Sequence, residues 1–209
     1  MSDLSLFDIP EVKENIKCLI VGQEKSGKTT LINNLTTKIK NHDRGVGFTK
    51  KINELNNLGL YIIPNYNKEV VKSVIDKQGR YIECKKTANG IQKEMIIFDN
   101  CFEKGSKWEK SNEIKWLLYN SRFSRISFIL SMESPANNMS SCFRANLDYI
   151  FILQEDNIEK RKVLYDNYAA GSFDNFDCFC NTMDKITLGK CIVIKNFGIV
   201  KCEKFWYKF

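Results

Sequence analysis

Gly22, Gly27, Lys28 and Thr29 have the spacing with the clearest chemical meaning in the chain, G-x-x-x-x-G-K-T, with Gln23, Glu24, Lys25 and Ser26 inside it and Thr30 behind it. A glycine-rich turn lets successive backbone N–H groups converge on an anion, and a helix that starts at its end points its positive pole at the same place. In such a loop the lysine reaches the β- and γ-phosphates of a nucleotide, and the next hydroxyl joins the shell of a Mg²⁺ ion. Gly22 to Thr30 are therefore the expected phosphate-binding residues, with a nucleotide and Mg²⁺ as ligands. A magnesium shell also needs a carboxylate at the end of a neighbouring strand. Asp99 qualifies, since Met95-Ile96-Ile97-Phe98 runs straight into it. Thr29 and Asp99 are the expected metal ligands. Asn100 follows, and an amide cannot accept a proton as a carboxylate does. Two readings stay open there: weakened hydrolysis, or an amide that orients the water.

The elements that must hold these residues are visible as apolar runs. Leu19-Ile20-Val21 is a short β-type run that stops at Gly22. Lys28 to Lys40 reads as a helix with Leu31, Ile32, Leu35 and Ile39 on one face. Asn41 to Gly47 reads as a turn-rich break, and Leu58 to Ile63 as a core strand ended by Pro64. A short helix is expected over Asn67 to Asp76, whereas Tyr81 to Cys84 fits a strand or a loop. Asn89-Gly90 marks a turn, and Glu94 to Asp99 a buried strand. Cys101 to Lys110 reads as polar loop, Asn112 to Ser121 as a helix, and Ile126 to Ser131 and Tyr149 to Leu153 as core strands. Ile158 to Tyr168 is helical, and Phe173 to Met183 is a helix or a turn-rich segment. Cys191 to Tyr207 forms a strand pair divided near Asn196 to Gly198. Strands alternating with helices give an α/β fold with a mostly parallel central sheet covered on both faces and a strand pair at its C-terminal end. Residues 1–15 read as an irregular lead-in with Phe7 and Ile9 packed on the domain, and 16–209 as one nucleotide-binding domain.

Composition narrows the class. Of 209 residues 43% are apolar and 27% charged, which excludes a disordered chain. The net charge of +7 comes mostly from lysine, with only six arginines; it suits a polyanion such as DNA and equally suits simple solubility. Met1 to Lys17 has no basic-then-apolar pattern of a targeting signal, and no apolar run reaches the ~20 residues of a membrane span. The eight cysteines contain no C-x-x-C pair and His42 is the only histidine, so reduced cysteines fit better than a zinc cage. Asn67-Lys68-Glu69-Val70 lacks the aspartate that would read guanine, and an arginine-rich kinase lid is not evident.

From Phe98 onward the wording becomes specific. Phe98-Asp99-Asn100, Asn120-Ser121-Arg122-Phe123, Ile126 to Glu133, Arg144-Ala145-Asn146-Leu147-Asp148-Tyr149-Ile150-Phe151 and the closing Phe205-Trp206-Tyr207-Lys208 follow one another. The chain resembles the genome-packaging ATPases of large nucleocytoplasmic DNA viruses, a branch of the FtsK–HerA-like P-loop ATPases, from about Phe7 to its C-terminus. The abundance of lysine, asparagine and isoleucine agrees with a viral source. The resemblance implies a RecA-like, ASCE-type P-loop domain and an ATP-hydrolysing motor that drives double-stranded viral DNA into a preformed capsid. It also implies a homo-oligomeric ring with capsid components as partners, working in the host cytoplasm at the assembly site and associated with the virion. A P-loop protein with little turnover, serving as a structural or regulatory subunit, is the alternative.

Three features depart from the family pattern. Asn100 replaces an acidic residue, Ser121 and Phe123 replace the Gly and His around Arg122, and Glu133 stands where a Gln is usual. The resemblance implies that the strand before Glu133 inserts beside the strand carrying Asp99. Asn100 and Glu133 would then lie on opposite sides of the γ-phosphate, with Glu133 as water-orienting base and Asn100 as amide sensor. It also implies a positive group supplied by a neighbouring subunit: Arg144 first, then Arg122, with Arg125 behind. Lysines within Lys104 to Lys110, or the basic C-terminus, would line a DNA pore by salt-dependent backbone contacts.

Overall fold

The computed structural model describes residues 5–7, 15–39, 42–55, 58–85, 92–102, 107–133, 139–197 and 200–209. Nine strands form one sheet: β1 (Ser5–Leu6), β2 (Lys17–Val21), β3 (Arg44–Thr49), β4 (Tyr61–Ile63), β5 (Glu94–Asp99), β6 (Ile126–Met132), β7 (Tyr149–Ile152), β8 (Lys190–Phe197) and β9 (Val200–Lys208). Their order is β1-β9-β8-β7-β2-β6-β5-β3-β4. Strands β7, β2, β6, β5, β3 and β4 run parallel, β8 is antiparallel to both β7 and β9, which makes β8 and β9 the expected C-terminal pair, and β1 runs parallel to β9. Strand β6 sits between β2 and β5, the insertion the resemblance implied.

The helices are α1 (Lys28–Lys38), α2 (Lys68–Lys85), α3 (Asn112–Asn120), α4 (Ser141–Ala145), α5 (Ile158–Leu164) and α6 (Phe176–Met183), with a π-helical turn over Tyr165–Ala169. Side chains alternate across a strand, so β2 feeds both faces. Cys18 and Ile20 join Leu31, Ile32 and Leu35 of α1 in one cluster, while Leu19 and Val21 face a second built on α2, α3 and α6. A strand buried on both faces must be a continuous apolar run, which is why β2, β5, β6 and β7 were visible in the sequence.

Four expectations are corrected. Asn41 to Gly47 is not a break, since Arg44–Thr49 is strand β3, in register with β5 from Arg44↔Glu94 to Thr49↔Asp99. Leu58 to Ile63 is not a core strand: only Tyr61–Ile63 pairs, at the sheet edge, and Tyr61 is 73% exposed. The short helix after Asn67 runs on to Lys85 and absorbs Tyr81 to Cys84. Buried Gln78 holds it in place by donating to the carbonyls of Gln92 and Ser124. Finally, the lead-in supplies a strand of the sheet. Ser5–Leu6 pairs in parallel with Phe205–Trp206, and Phe7 packs edge-on to Tyr149, Phe151 and Tyr207. Ile9, the Asn89-Gly90 turn and Lys104 lie outside the described residues. No helix among the described residues is long and apolar enough to cross a membrane.

Candidate nucleotide site

Parallel strands bring their C-terminal ends to one edge, where ligands of open α/β sheets bind. The loops after β7, β2, β6, β5 and β3 meet there in that order. Helix α1 begins at Gly27, whose left-handed backbone (φ 96°) is one that a side chain disfavours. Gly22 is needed for a different reason, because a Cβ there would lie 2.6 Å from Ser26 Oγ and 2.7 Å from Leu153 Cβ. Ser26 Oγ is buried without a hydrogen-bond partner. Lys28, nearly buried, donates to the carbonyls of Gly22 (2.9 Å) and Gln23 (2.7 Å). Burial lowers its pKa from the ordinary lysine value; Glu133, then Asp99 and Glu24, pull the other way, and Lys51 adds to the lowering. An ammonium curled over the carbonyls of its own loop can exchange them for phosphate oxygens. Lys25 takes a positive φ (63°) within the same turn, and Thr30 is exposed on the first turn of α1.

Asp99 is the carboxylate of the site. It is 4% exposed and accepts from Ser131 Oγ (2.5 Å), Thr29 Oγ1 (3.3 Å) and Thr49 Oγ1 (3.5 Å). Burial raises its pKa above the ordinary aspartate value, opposed by the hydroxyls of Ser131 and Thr29 and by Lys28. A hydroxyl and a carboxylate in contact form the hard oxygen set that Mg²⁺ prefers, so Thr29 and Asp99 fit the expected metal. Ser131 and Thr49 were not anticipated. Ser131 is marked in the sequence only by closing the apolar run of β6, and Thr49 was hidden by the missed strand β3.

The raised pKa has a consequence for stability. A carboxyl whose pKa is higher in the fold than in the unfolded chain favours the fold when protonated. That contribution is present at low pH, fades as pH rises through the folded pKa, and leaves a net cost at neutral pH. Asp99→Asn is therefore expected to raise the melting temperature at pH 7 in the absence of nucleotide. The same variant should lose about 10²-fold or more of its Mg²⁺-dependent turnover. Thermal scans and a turnover assay on one preparation test both.

Asn100 and Glu133 are brought together, though not as expected. They do not flank a gap. Asn100 Nδ2 donates to Glu133 Oε1 at 2.5 Å, making the two a contiguous amide–carboxylate pair across the ends of β5 and β6. Asn100 is left-handed (φ 48°), a conformation that Asn and Asp tolerate best among residues with side chains. On the other flank Gln23 Nε2 donates to Asp156 (2.8 Å), which also accepts from Gln154, tying the loop to the end of β7.

The arginines lie elsewhere. Arg122 and Arg125 occupy the turn before β6, and Arg144 is in α4 before β7, all at the N-terminal edge of the sheet. Arg122 pairs with Asp148 (2.5 Å), whose other oxygen accepts from the Lys17 amide at the start of β2. Arg144 donates to the Met139 carbonyl, and Asn196 Nδ2 holds the Arg144 carbonyl from β8. Strand β2 separates this edge from the phosphate loop by about 13 Å. None of the three arginines is placed at its own chain's loop.

No protein-family model matches the chain. Among curated proteins it is similar to the uncharacterized protein L437 of Acanthamoeba polyphaga mimivirus, 26% identical over 221 residues that cover 99% of this chain and 77% of that one. It is also similar to the uncharacterized protein 075L of Invertebrate iridescent virus 6, 30% identical over 186 residues, 82% of this chain and 66% of that one. Among solved structures its fold matches the genome packaging NTPase B204 from Sulfolobus turreted icosahedral virus 2, in complex with ATP-gammaS. The TM-score is 0.64 at 12% identity, over 95% of this chain and 100% of that one. The chain thus has the P-loop fold found in a viral genome-packaging NTPase, and its sequence relatives are proteins of large DNA viruses.

Proposed function

We propose that this chain is an ATP-hydrolysing, DNA-translocating motor that works as a homo-oligomeric ring and moves double-stranded viral DNA into a capsid. The observation that carries the reading is the convergence of Lys28, Thr29, Asp99 and the Asn100–Glu133 pair at one sheet edge, within the fold described above. In this reading residues 16–209 form the motor domain. Gly22 to Thr30 would hold the phosphates, and Thr29 and Asp99 would hold Mg²⁺, which when bound would supply positive charge to the phosphates. Glu133 takes the proton of the attacking water, and the Asn100 amide fixes the carboxylate's direction. Arg144 of a neighbouring subunit supplies charge at the γ-phosphate, with Arg122 and then Arg125 as the other candidates. Lys107, Lys110 and the lysines of β9 are candidates for backbone contact with DNA. ATP turnover with and without duplex DNA, measured alongside the mass of the assembly, tests the reading. DNA-stimulated turnover in a ring supports it, and a monomer without turnover overturns it.

Asn100 favours one alternative, a nucleotide-binding subunit that hydrolyses little. Tight ATP binding with no turnover in an assembled ring would select it.

A further inference from the structure

Beside the phosphate loop, on the side away from Asp99, lies an aromatic surface that the proposed chemistry does not use. The Phe209 ring rests against Gly27. A Cβ built on that glycine would lie 3.3 Å from Phe209 Cε2 and 3.4 Å from Cζ, with Leu188 Cδ1 at 3.5 Å. The chain is arranged to hold the ring there. The Phe209 amide donates to the Gly189 carbonyl (2.9 Å), and Gly189 is left-handed (φ 84°), with the Phe209 carbonyl oxygen 3.2 Å from where its Cβ would be. Tyr207 stacks on Phe209 (6.2 Å between centroids, 19° between planes). Tyr207 is itself tied to α1, since its hydroxyl donates to Asn34 and accepts from Lys38. Leu188 is 72% exposed beside this half-buried ring.

We propose that Phe209, backed by Tyr207 and flanked by Leu188, is the stacking platform for the purine base of the nucleotide. The inference rests on the nucleotide-binding reading above and adds the residues that hold the base. A base has a π-face that an aromatic ring can cover, and such stacking is worth a substantial part of binding. The triphosphate is anchored at Lys28 and the first turn of α1. Exposed Thr30 and the Phe209–Leu188 surface lie at the same end of that helix, so a base directed away from Asp99 meets the ring.

The test compares a ligand with a base to one without. Isothermal titration measures the affinity of AMPPNP and of inorganic tripolyphosphate, each with Mg²⁺, for the wild-type protein, Phe209→Ala, Phe209→Tyr and Leu188→Ser. Phe209→Ala is expected to weaken AMPPNP about 5- to 150-fold and to leave tripolyphosphate within about twofold. Phe209→Tyr should keep AMPPNP affinity, and Leu188→Ser, at an exposed position that folding does not need, should lose severalfold for AMPPNP alone. Equal losses for both ligands, or no loss for either, overturn the platform while the nucleotide reading stands. A wild-type protein that binds neither ligand overturns both.

Discussion

Alanine at Arg144 is expected to lower ATP turnover of the assembled protein by about three orders of magnitude while leaving nucleotide affinity within about twofold. An arginine that reaches the γ-phosphate from a neighbour contributes roughly 10³ to 10⁵ to rate, and it acts on charge that develops in the transition state. Arg144 sits at the sheet edge remote from its own phosphate loop, anchored to the Met139 carbonyl. It can serve catalysis only in another subunit's site. Mixed rings make this decisive. A subunit with Lys28→Ala cannot turn over its own nucleotide but still carries Arg144, and it should restore activity to a neighbour with Arg144→Ala. Mixed assemblies no more active than either parent would remove Arg144 from the role. Arg122 would then be examined. Its exposed ion pair with Asp148 is worth about 0.2–1 kcal/mol, so Arg122→Ala should fold.

The Asn100–Glu133 pair carries the second large effect. Glu133→Gln is expected to reduce turnover by about 10²- to 10⁴-fold, the usual contribution of a positioned general base. The informative variant is the double exchange, Asn100→Asp with Glu133→Gln. It rebuilds a carboxylate–amide pair with its members reversed, and aspartate tolerates the left-handed backbone at position 100. Residues in contact are not additive, so the double variant should recover at least tenfold over Glu133→Gln alone. Undiminished DNA-stimulated turnover in Glu133→Gln would show that Glu133 is not the base.

How much of this could be read from residues alone follows from packing. Strands β2, β5, β6 and β7 announce themselves because burial on both faces demands unbroken apolar runs. Strand β3 hid behind Gly45 and Gly47, which in RGVGFT look like turn residues. The structure gives them another purpose. A Cβ on Gly45 would collide with the Met95 carbonyl and come within 2.8 Å of Leu60 Cδ2, and one on Gly47 would lie 2.8 Å from Ile62 Cδ1. They let neighbouring chain segments approach. Helix α2 was cut short because Gly79, Tyr81 and Ile82 are poor helix formers, whereas the tertiary bonds of Gln78 decide the matter. At the site, residue types and spacing sufficed to single out Lys28, Thr29 and Asp99 as residues that come together. Partnerships did not follow from spacing. That Asn100 grips Glu133, that Asp148 holds Arg122, and that Ser131 and Thr49 support Asp99 all depend on which strands are neighbours.

The pairing of β1 with β9 places the first described strand against the last. Phe7 packs against Tyr149, Phe151, Phe205 and Tyr207, so the shelter of the ring is complete only once those residues are in place. During synthesis the Phe7 segment must therefore wait until Phe205 and Tyr207 of β9 have left the ribosome. Contacts of such long sequence separation are intrinsically slow to form. An unpaired β-type segment with an exposed aromatic ring is meanwhile open to capture by another chain. For a protein proposed to act in many copies at one assembly site, the order of synthesis thus sets a period of vulnerability that the finished sheet no longer shows.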